Sequence, residues 1–248
     1  MLDHDEKLRY KRQLIMPEIG EEGQLKLKQA KVLVVGAGGL GSSILYYLTA
    51  MGVGTLGIVD ADNVELSNLQ RQILHNVERI GINKAQSAKE TLEKLNPLTK
   101  IIEYPFKITE KNSHSLITEY DIVAAALDNL PARYLVNEAC VALKKPLVEA
   151  GVSGWDGLAI TVIPGKSPCY SCIFPAISNE NRGETGMVGC IPGVLGTIQA
   201  MEVIKIILGL GNTLANRLLV FDGLELTFSE FKMERNINCP VCGKIPRI

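Results

Sequence analysis

The sequence predicts an α/β fold, a doubly wound and mostly parallel sheet with helices on both faces, continued by an antiparallel β region. Three observations carry this expectation. Apolar runs alternate with amphipathic ones from Lys31 to Val152, the rhythm of a parallel sheet with crossover helices. The runs VLVVG and DIVAAAL are near-continuously apolar, as strands buried on both sides must be. The segment KVLVVGAGGLGSS, from Lys31 to Ser43, passes from β-forming residues into four glycines within six positions and resumes as a helix.

Length and periodicity assign the elements in order. Strand 32–36 leads to helix 41–50, strand 55–60 to helix 84–95, strand 101–106 to helix 110–118, and strand 121–127 to helix 131–143, with strand 147–150 closing the series. In the common doubly wound order the first and fourth strands are neighbours, and ligands sit beyond their carboxyl ends. The Gly-rich turn and Asp128 both fall at that edge. Beyond residue 150, Trp155-Asp156-Gly157 reads as one turn between strands. Asp222-Gly223 reads as another, between RLLVF and LELTFSEF, whose alternation suggests a sheet with one wet face. A long helix is expected over 194–208. The polar stretch Ser178 to Gly189 has no periodicity and reads as a functional or disordered loop. The chain thus divides into a helical segment 1–30, a Rossmann-like nucleotide-binding region 31–152 and an antiparallel β region 153–248, within one continuous domain.

Composition narrows the partners. Lys plus Arg (26) nearly balance Asp plus Glu (27), and aromatic residues are 5% of the chain, so there is no charge field for nucleic acid or an anionic membrane. The first fifteen residues are charged and carry no signal-type apolar core. The apolar stretch from Val194 to Leu210 is interrupted by Gln199, Glu202 and Lys205 at helical spacing, which suits a core helix better than a membrane span. A cytoplasmic location is expected.

Four of the six cysteines lie in Cys169-Tyr-Ser-Cys172 and Cys239-Pro-Val-Cys242. Two such turns can present four thiolates tetrahedrally to a structural zinc ion, tying the chain end back onto the second β region. A redox pair, a disulfide or plain packing are the alternatives. Cys140 lies in an apolar helix and reads as a buried, inert thiol. Cys190 reads as a small residue packed at a helix start; a reactive thiol with a lowered pKa near that helix end is the alternative.

A Gly-rich turn between strand and helix suits a pyrophosphate, because backbone N–H groups and the positive helix end point at the anion. Gly36-x-Gly38-x-x-Gly41 with Asp60 also fits a dinucleotide fingerprint, Asp60 reaching a ribose hydroxyl. Alone, that pattern suggests NAD or FAD. Asn68, Arg71 and Gln72 in SNLQRQ, followed by Lys84 in GINKAQ, favour a nucleoside triphosphate instead: an Arg fork grips phosphates bidentately and a Lys neutralises them as a point charge. The histidines, His4, His75 and His114, receive no role.

The set RYKRQ, GAGGLGS, DADNVELSNLQRQ, GINKAQSA, ALDN, CYSC, GVLGTIQAMEVIK and CPVCG, spanning about Arg9 to Gly243, resembles the MoeB/ThiF/HesA group, prokaryotic relatives of the ubiquitin-activating enzymes. The resemblance implies ATP-dependent adenylation of the C-terminal glycine of a ubiquitin-like sulfur-carrier protein ending in Gly-Gly, by a homodimer. By position, Gly38, Gly39 and Gly41 would approach the nucleotide, Asp60 the ribose, and Asn68, Arg71 and Lys84 the phosphates. Asp128 would hold magnesium, and Arg12 would reach the neighbouring subunit's site. Some relatives carry a sulfur-handling Cys before the long helix; the matching position falls near Arg182, where no Cys stands. With no rhodanese-type extension after Gly243, a separate sulfur donor is expected. Adenylation of a small molecule, peptide or tRNA carboxylate, a non-catalytic partner subunit, and an NAD oxidoreductase are the competing readings.

Overall fold

Val32, Leu33, Val34 and Val35 are all fully enclosed, with Val32 and Val34 in one apolar cluster and Leu33 and Val35 in another. A strand whose successive side chains point to opposite faces can bury all of them only between two helical layers, and the computed structural model has this arrangement. It describes residues 1–175 and 186–246. Most of the stretch from Ser178 to Gly189, including Arg182, lies outside the described residues.

Among the described residues the strands are β1 (Lys31–Val35), β2 (Thr55–Val59), β3 (Lys100–Tyr104), β4 (Ile122–Ala125), β5 (Leu147–Ser153), β6 (Asp156–Val162), β7 (Arg217–Asp222) and β8 (Thr227–Lys232). They form one sheet in the order β3-β2-β1-β4-β5-β6-β7-β8. The β3 to β5 portion is parallel; β5, β6, β7 and β8 pair antiparallel. The order therefore reverses at β1, which lies between β2 and β4, and the crevice beyond the carboxyl ends of β1 and β4 is the switch point.

The helices are α1 (His4–Arg9), α2 (Lys11–Leu14), α3 (Gly20–Gln29), α4 (Gly39–Ala50), α5 (Lys84–Leu95), α6 (Glu110–Thr118), α7 (Leu130–Ala142), α8 (Tyr170–Ile173) and α9 (Cys190–Leu208). Leu45 and Leu48 of α4, Leu92 of α5 and Val203 of α9 join Val32 and Val34 on one face. Ile117 of α6 and Val136 and Cys140 of α7 join Leu33 and Val35 on the other.

Several expected boundaries move, each for a local reason. β1 stops at Val35, because Gly36 has φ of +103° and a Cβ there would lie 2.3 Å from the Ala126 carbonyl oxygen. α4 accordingly starts at Gly39, two residues before the expected helix. β2, β3 and β4 end at Val59, Tyr104 and Ala125, one or two residues short. β5 runs on to Ser153, and the hairpin turn falls at Gly154, with φ of +60°, and Trp155; Asp156 and Gly157 belong to β6. α9 begins four residues before the expected position, at Cys190, since Pro192 in its first turn lacks an N–H that would have no partner there anyway. One wet face holds for β7, where Leu219 and Phe221 are buried, but β8 is exposed along its whole length.

The polar stripe of α9 faces inward. Gln199 donates to the carbonyls of Ala125, at 2.8 Å, and Val148, at 3.3 Å. Glu202 accepts from the Thr161 hydroxyl and the Leu214 N–H, both at 2.6 Å, and pairs with Lys205. By length and composition α9 could cross a membrane, yet half of that apolar window is buried within the fold.

Candidate nucleotide site and cysteine cluster

The turn between β1 and α4 is shaped by missing side chains. Gly36 clears the Ala126 carbonyl, and a Cβ on Gly41 would lie 2.1 Å from the Gly36 carbonyl oxygen. Packing thus explains glycine at these two positions. Gly38 is different: a Cβ there would meet only the Gln72 side chain, at an ordinary contact distance of 3.6 Å, so packing does not require glycine there. No side chain caps α4, which leaves its first N–H groups free to meet an anion.

Asp60 follows β2 at the same edge. Its carboxylate accepts the Ala37 N–H at 2.8 Å and the Asp62 N–H at 2.9 Å. Burial pushes its pKa up from the ordinary value, while those two amides and the Lys84 charge pull it back. Lys84, the first residue of α5, is buried, with its Nζ 3.4 Å from the Asp62 carboxylate. Asp62 is 63% exposed by side chain, and a pair this open to water contributes about 1 kcal/mol at most, too little to hold Lys84 against several phosphate charges.

Arg71 lies over the turn: its Cγ would be 3.5 Å from a Cβ on Gly39, and its guanidinium donates to the Ser67 carbonyl at 3.2 Å. Asn68 is buried and accepts the Glu65 N–H with its side-chain oxygen at 3.3 Å. Gln72 is buried beside Gly38 with its Oε1 unpartnered. Pro192 of α9 closes the far side, 3.0 Å from a Cβ on Gly39. Gly36, Gly38, Gly39, Gly41, Asp60, Arg71 and Gln72 therefore meet at one turn; Lys84 stands near Asp60, and the Asn68 carbonyl accepts the N–H groups of Arg71 and Gln72 beside it. A phosphate chain fits its donors: the free N–H groups at the start of α4 and the two cations Arg71 and Lys84.

Asp128 is exposed three residues beyond the end of β4, next to the switch point, and accepts from the Asn129 side chain at 3.3 Å. Such an open carboxylate is a suitable magnesium ligand. Arg12, in α2, is exposed and is not brought to the glycine turn. The adjacent Gln13 donates to the Met51 carbonyl at the C-terminal end of α4, and α4 has 12 residues, so roughly 18 Å of helix separates Arg12's neighbourhood from the glycine turn.

Sequence reasoning passed over four residues that build the site. Asn83 caps α5 by accepting the Ala85 N–H at 2.9 Å and donates to the carbonyls of Asp60 and Asp62, both at 3.1 Å. Its place before Lys84 in GINKAQ was the available cap signal. Asp62 supplies Lys84's partner, and His75 reaches the turn itself. Arg133 of α7 bonds Glu149 and the Leu127 carbonyl, next to Asp128. Burial raises the Glu149 pKa to about 7, against the pull of Arg133.

The cysteines meet as expected. The four Sγ atoms of Cys169, Cys172, Cys239 and Cys242 lie within 4.8 Å of one another. Three separations are 3.9 Å (Cys169 to Cys172), 3.7 Å (Cys169 to Cys239) and 3.3 Å (Cys172 to Cys242). A tetrahedral zinc with Zn–S of about 2.3 Å requires sulfurs about 3.8 Å apart, so the set fits that ion and leaves no open coordination position. A disulfide does not fit, since its sulfurs bond at about 2.05 Å. Cys140 is buried as expected, and burial pushes its thiol pKa up. Cys190 stands at the helix start as expected, the first residue of α9, but is exposed rather than packed.

The ThiF family model matches residues 10–241. The chain is 45% identical over 247 residues to a sulfur carrier protein adenylyltransferase of Thermus thermophilus, covering 96% of this chain and 91% of that one. It is 45% identical over 252 residues to the mouse adenylyltransferase and sulfurtransferase MOCS3, covering all of this chain and 55% of the mouse protein. Among solved structures, E. coli MccB with ATP aligns with a TM-score of 0.85 at 28% identity, over 95% of this chain and 75% of that one.

Proposed function

The chain belongs to the ThiF family and is an adenylyltransferase, and from that premise we propose that it activates the C-terminal glycine carboxylate of a ubiquitin-like sulfur-carrier protein with ATP and magnesium. The observation that carries this reading is the turn at the switch point, where α4 has no side-chain cap, Arg71 lies against Gly39, and the Lys84 charge acts on the adjacent Asp60. The match to the Thermus thermophilus relative along nearly all of both chains supports the carrier as substrate.

A carboxylate oxygen of the carrier tail bonds to the α-phosphorus. The bond from that phosphorus to the bridging oxygen breaks, and pyrophosphate leaves with the electron pair. Anion meets anion, so charge neutralisation and in-line positioning supply most of the catalysis. The glycine turn and α4 N–H groups cradle phosphate oxygens, Asp60 takes the ribose, and Asn68, Arg71, Gln72 and Lys84 grip the phosphate chain. Asp128 holds magnesium, which when bound neutralises phosphate charge. No general base is needed, because the tail carboxylate is already ionised near neutral pH. The product acyl-adenylate passes to a separate sulfur donor.

The chain acts as a homodimer in this reading. Arg12 stands next to an exposed apolar face, with Ile15 64% and Met16 46% exposed, which supports its placement at an interface that carries it to the partner's glycine turn. Zinc, held by Cys169, Cys172, Cys239 and Cys242, ties the chain end to α8 and its N-cap and takes no part in the chemistry. A cytoplasmic location belongs to the same reading.

A second reading, adenylation of a peptide or small-molecule carboxylate, is favoured by the likeness to MccB, which has been solved with AMPCPP and MccA. Pyrophosphate exchange into ATP separates the two. Exchange that requires a β-grasp protein with an intact Gly-Gly tail supports the carrier. Exchange without any carrier supports the second reading. No exchange under either condition, with ATP still bound, supports a different carrier first and a non-catalytic subunit second.

A further inference from the structure

We propose that His75 is a positioning residue for the nucleotide, its neutral imidazole fastening the glycine turn to the helix that carries Lys84. The proposal rests on the reading that this turn holds ATP. His75 is 6% exposed, and both ring nitrogens are engaged: Nε2 lies 2.9 Å from the Ala37 carbonyl oxygen and Nδ1 2.8 Å from the Ser87 hydroxyl. A carbonyl can only accept, so Nε2 carries the proton; Nδ1 then accepts from the Ser87 hydroxyl. The network has one consistent tautomer, assigned from its partners.

The two partners are what distinguish His75 from an ordinary core histidine. Ala37 stands between Gly36 and Gly38, and the Asp60 carboxylate already holds its N–H. His75 holds the carbonyl of the same residue, so the Ala37 unit is fixed at both ends. The next peptide joins Ala37 to Gly38, where no Cβ restricts the backbone, and Gly39 follows. A turn that must be glycine to admit a phosphate is for the same reason flexible, and hydrogen bonds have to supply the rigidity that side-chain sterics cannot. Ser87 lies on α5 one turn after Lys84, so the imidazole fixes the turn relative to that cation. Preorganisation of this kind lowers the ordering cost of binding.

Three variants of the full chain test the proposal. The amide of His75→Gln can reach where Nε2 stood and keep the bond to Ala37. The shorter amide of His75→Asn reaches only the Nδ1 position and keeps Ser87. Ser87→Ala removes the partner that orients the ring. Titration calorimetry with ATP and magnesium, thermal melting, and amide exchange at Ala37 and Ser42 are the readouts; their N–H groups donate to Asp60 and to the Gly38 carbonyl. His75→Gln should keep amide protection and bind ATP within about threefold of the parent, whereas His75→Asn should lose protection and bind roughly tenfold more weakly, as the loss of one buried hydrogen bond implies. The two should melt alike. Ser87→Ala should fold and show an intermediate loss of both protection and affinity. Equal weakening in both His75 variants, in step with their melting temperatures and with Ala37 and Ser42 still protected, overturns the proposal. If His75→Asn does not fold, unchanged protection and affinity in Ser87→Ala does so. If the parent binds no ATP, the nucleotide reading fails, and amide exchange alone still decides whether His75 orders the turn.

Discussion

The Asp60 carboxylate accepts the backbone N–H of Ala37 at 2.8 Å. Asp60 therefore shapes the glycine turn, and its other oxygen takes the Asp62 N–H. Asp60→Asn leaves one of these N–H groups facing an NH2. It should lower stability by about 1–3 kcal/mol and weaken ATP binding, seen in urea unfolding and in calorimetry. Loss of affinity at full stability would assign Asp60 to the ribose alone.

Arg71 and Asp128 are only partly buried or exposed, so their removal should cost less than about 0.5 kcal/mol of stability. Arg71→Ala and Asp128→Ala should nevertheless abolish pyrophosphate exchange. Full exchange in either variant, with melting unchanged, would remove that residue from the proposed mechanism.

The cysteine cluster should carry one zinc per chain in protein purified without chelator. Burial raises the Cys172 thiol pKa to about 11, so zinc uptake by metal-free protein at neutral pH must expel protons. Calorimetry in buffers of different ionisation heat would detect this release. Cys239→Ser should lose the metal and expose the segment after β8 to protease; metal retained at full occupancy would contradict the four-sulfur site.

Arg12 lies roughly 18 Å along α4 from the turn of its own chain. If it serves the partner's site, Arg12→Ala and Asp128→Ala should each be inactive as pure dimers, yet regain exchange when protomers are mixed, because each mixed dimer then contains one intact site. No recovery on mixing, with subunit exchange demonstrated, would place Arg12 outside the site.

Burial pushes the His75 pKa below its ordinary 6.5, and the neighbouring Lys84 charge acts the same way. Below pH 6.5 the unfolded chain binds a proton that the native ring resists, so stability falls as pH drops through this window and is fully present above it. His75→Gln removes that titration. The stability gap between parent and variant should narrow between pH 7.5 and 5.5; a constant gap would mean that the ring protonates as freely in the folded protein as in the unfolded one.

Much of the site was legible because its signals are local. Gly36, Gly38 and Gly41 mark a strand-to-helix turn by spacing alone, and the α5 and α6 boundaries came out as expected because propensity and periodicity agree there. The displaced boundaries, at Gly36, Gly154 and Pro192, are set by single residues with special backbone requirements, which periodicity averages over.

The sequence by itself determined the parallel core, the glycine turn after β1 and the two CxxC turns, since each is encoded in residues a few positions apart. Only the tertiary structure decided that Cys172 and Cys242 stand 3.3 Å apart, that His75 reaches Ala37 while Arg12 does not reach the glycine turn, and that Asp62 is what Lys84 touches. Those relationships join residues distant along the chain. Their geometry is fixed by how helices seat on the sheet, which depends on the packing of the whole core rather than on any one stretch of it.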